Sequence, residues 1–585
     1  MKWMKFLLAV IAIAVGSTAS AVETIDPAEA TPGRKGVCIT EMDGGERVEI
    51  PLTVLGTVGS GTPNGEIVLV RLEHPRFEET GIIAGMSGSP VYLDGKLLGA
   101  LAYGWPFASE PIGGVTPFTR MFQVSASPSD PGMSARPSFN AIMAAARSGD
   151  LGNLVVDWLL PEGMGEVRPL PLVIAGWRVP SSAGGWLAES WRRLGWVAAS
   201  GSGQAATGVT GEVAPGSMVA AVMVDGDVTL AAGGTVTEVR DDQLWAFGHP
   251  SLGVGSTTMP LSRAAVVAVL PSVMSSSKFF AVGEGIGAIV ADRRDGVLGR
   301  LGAVAPMVPI SVTVNGQKYS YRAVRHPILM PLLAGYLASA SLAVDGRTFG
   351  DQTVAIRISV HYPGDETASA AATFASSQAS GESSAFASAV VAYLEGTSFE
   401  GPDIDSIDVV LETVERLEAA TILDIVPERR VVRPGEELAV RFRLRTYRGP
   451  EQTRTVTVQI PAELPEGRVD LVGADGAAWT VYDLKMRPLQ PASFSDEVRL
   501  VNSVEPSTTI VVVLERGDSG MVMPGGTISA PPSVVLQLQS ALGPNLETVA
   551  YGVVAKVEAE MPFPVSGAQR IALTVRAESL RSETR

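Results

Sequence analysis

Short runs of alternating apolar and polar residues, broken by turn formers, fill most of the chain. Between 36 and 122 they include Val48 to Val54, Glu66 to Arg71 and Pro90 to Leu93. Such period-2 runs bounded by Gly, Pro, Asn or Asp predict strands. Asp94-Gly95 separates Pro90–Leu93 from Lys96–Tyr103 and predicts a hairpin across a two-residue turn. A second β-rich block, 218–315, contains Met218–Val224, Val228–Ala231 and Gly234–Val239, followed by Leu244 to Pro250.

Other stretches read differently. Residues 139–200 form a helical insert, with helices expected at Asn140–Arg147 and in the Trp-rich segment Trp186–Trp196. Ser/Pro and Gly/Ser/Ala linkers are expected at about 125–138 and 199–217. Residues 316–425 are mixed α/β, and their Ala/Ser-rich segment Ala368–Val391 suits either a helix or a mobile surface loop. From 426 to 585, runs such as Leu438–Leu444 and Thr455–Ile460 predict an immunoglobulin-like β-sandwich. The fold class is mainly β.

Composition narrows the function. The chain has 585 residues, 46% hydrophobic and 18% charged, so it can build several large cores. A net charge of −16 with no basic stripe excludes nucleic acid as a partner, because phosphates require a Lys/Arg surface. Lys2 and Lys5 precede an apolar run from Phe6 to Val15 and then Ala19-Ser20-Ala21. This is the layout of a signal peptide over 1–21, and it predicts export to the periplasm, cell envelope or medium. The run is shorter than a bilayer span needs, and no transmembrane segment is expected after cleavage.

The single cysteine, Cys38, forbids an intramolecular disulfide and reads as a buried thiol. The four histidines, His74, His249, His326 and His361, lack metal-ligand spacing, so neither a metal nor a cofactor is implied. Gly517-Asp518-Ser519-Gly520 mimics a nucleophile loop but follows a strand and reads as a hairpin turn.

The chemistry concentrates in Gly81-Ile82-Ile83-Ala84-Gly85-Met86-Ser87-Gly88-Ser89-Pro90. A serine between glycines suits a strained nucleophile turn, with the amides of Gly85 and Ser87 free to meet an oxyanion. A serine nucleophile needs an imidazole base, and His249 lies in a comparable glycine-flanked turn, Ala246-Phe247-Gly248-His249-Pro250. His74, before a proline, reads as a turn residue.

These segments resemble the SpoIVB peptidase family, the sporulation serine peptidases of family fifty-five in the chymotrypsin-like clan. Gly81 to Tyr92, continuing through Asp94-Gly95 to Gly99-Ala100, is similar to the family's nucleophile segment; Ala246 to His249 is similar to its histidine segment. The resemblance implies a β-barrel peptidase region built from the two β-rich segments. It implies Ser87 as nucleophile, His249 as general base, Gly85 and Ser87 as oxyanion donors, and Ser89 as a residue that shapes the loop.

Two features depart from the family. The serine segment precedes the histidine segment, by 162 residues, and the family's Asp before the nucleophile is missing from Glu73–Thr80. Glu73, Asp241 and Asp242 are the candidate substitutes. The expected function is an exported serine endopeptidase acting on a polypeptide substrate. The alternative is a non-catalytic binding or assembly protein that retains the fold and meets an envelope protein partner.

Overall fold

A computed structural model describes residues 22–576 except 60–64, 106, 128–135, 161–169, 171, 177–184, 199–208, 210, 273–274, 346–349, 487–490, 517–519, 524–525, 530–532, 535–536, 538–539, 541–547 and 550–551. The signal segment 1–21 and the Gly517-Asp518-Ser519 turn therefore lie outside the described residues. The chain is mainly β.

The first β-rich segment closes on itself. Strands β1 (Lys35–Glu41), β2 (Arg47–Gly59), β3 (Glu66–Leu72), β4 (Ser89–Leu93), β5 (Lys96–Gly104) and β6 (Ile112–Pro117) form a barrel in the order β1-β2-β3-β6-β5-β4. Alternation directs Ile50, Leu52 and Val54 inward with Val68, Val70, Val91 and Leu101. The expected β4–β5 hairpin is present, with Leu93 opposite Lys96. Asp94 and Gly95 adopt φ of 51° and 77°, the two positive values its tight turn requires.

The second β-rich segment repeats that winding. Strands β7 (Met218–Gly226), β8 (Leu230–Arg240), β9 (Gln243–Ala246), β10 (Gly255–Leu270), β11 (Ser277–Arg293) and β12 (Gly296–Leu301) belong to a larger sheet. An additional β7–β8 pairing closes them into the ring β7-β8-β9-β12-β11-β10. Strand for strand this is the circuit of the first barrel. The runs Val228–Ala231 and Gly234–Val239 merge into one strand that starts at Leu230, because Ala232 and Gly233 keep pairing with β7.

The sheet continues past β7 through Gln317–Val324, Met307–Val314, Ser406–Val414, Gln352–His361 and Thr367–Ser376. Against it lie two long helices, Leu329–Asp345 and Ala379–Glu395. The Ala/Ser-rich segment is thus a strand followed by a helix, and the loop alternative does not hold. Apart from Glu382, every residue from Ala379 to Leu394 is buried. Small side chains permit that close approach: a Cβ on Gly335 of the neighbouring helix would come within 2.7 Å of the Ser384 carbonyl oxygen.

In the insert, helices occupy Phe139–Ser148, Leu151–Leu159 and Gly185–Leu194. The last gives way to a short strand at Trp196–Ala198, so the Trp-rich helix ends before Trp196. The C-terminal region is a sandwich of a four-stranded and a five-stranded sheet around Leu438, Val440, Phe442, Leu471 and Val512. Its first strand, Ala420–Pro427, begins six residues before the expected boundary at 426. Helices Gly476–Met486 and Phe494–Asn502 interrupt it, an addition the strand pattern did not announce. Ion pairs Arg147–Asp475, from the insert, and Arg136–Glu497, from the segment just before it, tie it to the preceding chain.

Candidate functional site

The two barrels bring the two expected residues together. Ser87 precedes β4 in the connection from β3, and His249 precedes β10 in the connection from β9. These are equivalent loops of two barrels with the same winding. Chain order therefore does not decide whether they meet. Ser87 Oγ lies 2.8 Å from His249 Nε2 across 162 residues.

The other imidazole nitrogen fixes the tautomer. His249 Nδ1 lies 2.8 Å from the Pro250 carbonyl oxygen, which can only accept a hydrogen bond. Nδ1 therefore carries the proton, and Nε2 presents its lone pair to the Ser87 hydroxyl. Both side chains are shut away, with Ser87 0% and His249 1% exposed. Burial holds the imidazole well below its ordinary range, at about 4, against a smaller opposing contribution from the Pro250 carbonyl. At neutral pH it is a neutral acceptor.

The serine loop is held by the second barrel. Thr235 N donates to Ser87 O at 2.7 Å, Thr235 Oγ1 to Gly85 O at 2.9 Å, and Thr237 Oγ1 to Gly88 O at 2.7 Å. Inside the first barrel, Gly88 N donates to Leu101 O and Ser89 N to Met86 O, each at 2.8 Å. The amides of Gly85 and Ser87 donate to no acceptor among the described residues. Gly88, at φ 97°, permits the contact: a Cβ there would stand 1.9 Å from the Thr235 carbonyl oxygen.

The histidine loop is held in two ways. Thr116 Oγ1 of β6 donates to Gly248 O at 2.7 Å, so the first barrel also grips this loop. The buried Asp292 carboxylate on β11 accepts from the amides of Ser251, Leu252 and Gly253 at 2.8, 2.7 and 3.0 Å. Desolvation outweighs those amides and raises Asp292 to about 6.

None of the three candidate acids reaches His249. Glu73 sits on the rim of the first barrel, bound to Lys35 Nζ at 2.8 Å and to the Thr53 hydroxyl; these partners, Lys35 first, hold it below the usual carboxylate range. Asp241 occupies the β8–β9 turn at φ 54°, and Asp242 faces Arg300 at 3.5 Å with both side chains exposed. The place of a third carboxylate is taken by a backbone carbonyl.

The remaining histidines have other partners. His74 Nδ1 caps the helix Pro75–Thr80 through Arg76 N, and His326 Nδ1 accepts from the amides of Ile328 and Leu329. His361 lies between Asp408 and Thr367. Cys38 is fully buried, and burial pushes its thiol up to about 12. Among the described residues no cluster of metal-ligating side chains occurs, and no helix is long and apolar enough to cross a membrane.

Sequence reasoning missed Thr235, Thr237 and Asp292. The threonines sit in an ordinary strand pattern, and Asp292 lies 43 residues after His249 in a hairpin-like Asp-Arg-Arg-Asp-Gly run. No match to this chain was found among protein-family models, curated proteins or solved structures.

Proposed function

We propose that the chain is an exported serine endopeptidase of the SpoIVB type, with Ser87 as nucleophile and His249 as general base. One observation carries this reading: the 2.8 Å contact between Ser87 Oγ and the unprotonated nitrogen of a neutral imidazole. In the reaction, His249 Nε2 takes the Ser87 proton as Oγ bonds to the peptide carbonyl carbon. The Gly85 and Ser87 amides, which have no acceptor among the described residues, receive the oxyanion. The C–N bond then breaks as Nε2–H protonates the leaving amine. Water, deprotonated by the same nitrogen, releases the acyl group.

The Pro250 carbonyl performs the orienting half of what a carboxylate does in a triad, keeping the proton on Nδ1. It supplies no full negative charge to the imidazolium that forms, which implies modest turnover. Cleavage after Ala21 would place the mature chain outside the cytoplasm, with a polypeptide as substrate.

The complete burial of Ser87 favours a second reading, a binding or assembly protein for an envelope partner, in which the dyad is a buried hydrogen bond. A fluorophosphonate probe separates the two. Its phosphorus bonds to Ser87 Oγ, fluoride leaves, and His249 takes the proton. The wild-type protein should label, and Ser87→Ala and His249→Ala should not. Equal labelling of wild type and Ser87→Ala would remove the peptidase reading.

A further inference from the structure

Lys278, the second residue of β11, is 0% exposed, although lysine is among the residue types that almost never bury completely. Its backbone and side chain both engage the serine loop. Lys278 N donates to Ala84 O at 3.1 Å, while Ala84 N donates to Ser276 O at 2.8 Å. Its methylenes pack beneath Gly85, where a Cβ would stand 3.1–3.3 Å from Cδ, Cβ and Cγ. The amine reaches on to Thr40 Oγ1 at 2.7 Å, and Thr40 also accepts from Ser89 Oγ at 2.9 Å. The side chain therefore runs under the loop from the Gly85 side to the Ser89 side, with Ser87 between.

The charges around it leave a positive excess. Glu41 is the carboxylate whose charge favours its protonation, but Glu41 is already committed to Arg263 at 3.1 Å and to the amides of Met218 and Val266, each at 3.0 Å. Cys38, the other titratable neighbour, remains a thiol. Among the described residues the Lys278 amine has one hydrogen-bond acceptor for its three protons as an ammonium. A buried cation without a matching anion is costly in the resting protein. It becomes favourable when negative charge appears above the loop, which is the condition for lowering a barrier and not merely binding a substrate.

Resting on the peptidase reading, we infer that Lys278 is a positioning residue that fixes the Gly85 amide from below and lends its charge to the oxyanion formed at Ser87.

The test is the rate of fluorophosphonate labelling between pH 4 and 9. Activity should require neutral His249 and protonated Lys278. Burial lowers them to about 4 and about 7, so the wild-type rate should rise through the first value and fall through the second. Asp292, at about 6, gains its charge across this window and orders the histidine loop, so it cannot cause the fall. Lys278→Met keeps the stem and removes the charge; it should label about tenfold more slowly near pH 5.5 and lose the alkaline fall. Should that variant not fold, Thr40→Val removes the ammonium's acceptor and should move the fall to lower pH. An alkaline limb unchanged in either folded variant overturns the inference. Loss of labelling in Ser87→Ala, run alongside, separates this failure from failure of the peptidase reading.

Discussion

Gly88→Ala is the substitution to which the paired barrels should respond most sharply. Two costs combine there. At φ 97° an alanine carries backbone strain of about 1–2 kcal/mol. Its Cβ would also sit 1.9 Å from the Thr235 carbonyl oxygen and 2.5 Å from Phe247 N, both backbone atoms that no rotamer change can move. Relief requires β8 and the loop to part by more than an ångström. That loses the Thr235 N–Ser87 O, Thr235 Oγ1–Gly85 O and Thr237 Oγ1–Gly88 O bonds, each worth about 1 kcal/mol and more when its partner stays buried. The total is about 4–6 kcal/mol, together with displacement of Ser87 from His249. Gly95→Ala is the control: φ there is 77°, but nothing lies within 4 Å of the added carbon, so about 1 kcal/mol is expected. Urea unfolding monitored by tryptophan fluorescence reads both. If the two variants shift the first unfolding midpoint equally, steric contact between the barrels does not govern the site.

Other expectations follow from the same contacts. Asp292→Ala should abolish fluorophosphonate labelling while leaving Ser87 and His249 intact, because three loop amides lose their acceptor; normal labelling would show that the His249 loop holds itself. Burial lowers both His249 and His326 from 6.5 to about 4, so each is neutral in the fold while the unfolded chain takes up protons first. Each histidine should therefore cost about 3 kcal/mol of stability as pH drops from about 6.5 to 4, opposed over the same range by Asp292 and Glu395, whose folded values burial raises to about 6 and about 7. His326→Gln should raise the melting temperature at acid pH relative to that at neutral pH by comparison with wild type, and an unchanged difference would refute the assignment. Cys38, buried with its thiol pushed up to about 12, should resist a thiol-reactive dye until urea unfolds the first barrel; rapid native reaction would contradict its burial.

The sequence carried what depends on local pattern. Alternation and turn chemistry located β2 to β5 of the first barrel and β7 to β9 of the second, though not β6 or β10 to β12, and the glycine-flanked turns marked Ser87 and His249. What it could not carry was nonlocal or patternless. The partner of His249 Nδ1 is the Pro250 carbonyl, a group every residue has, so no acidic residue could announce it. Asp292 acts on a loop 40 residues away through geometry alone. The helix Ala379–Glu395 was ambiguous because it is buried nearly all round, and a helix without a solvent face shows no apolar stripe. Lys278 offered one cue, a lone charge beside Phe279 and Phe280, that only the fold makes meaningful.

Since the serine belongs to one barrel and the histidine to the other, reactivity is a property of their seam and of neither half. The seam combines hydrogen bonds, those of Thr116, Thr235 and Thr237 among them, with a hydrophobic core that the two barrels share, where Val91 and Leu101 of one lie in a single cluster with Ala220, Ala231 and Phe280 of the other. A shift of about an ångström of one barrel on the other would separate Ser87 Oγ from His249 Nε2 while that core persists. Loss of labelling would then come ahead of loss of β-structure, and a chain that still looks folded by circular dichroism would already be chemically silent.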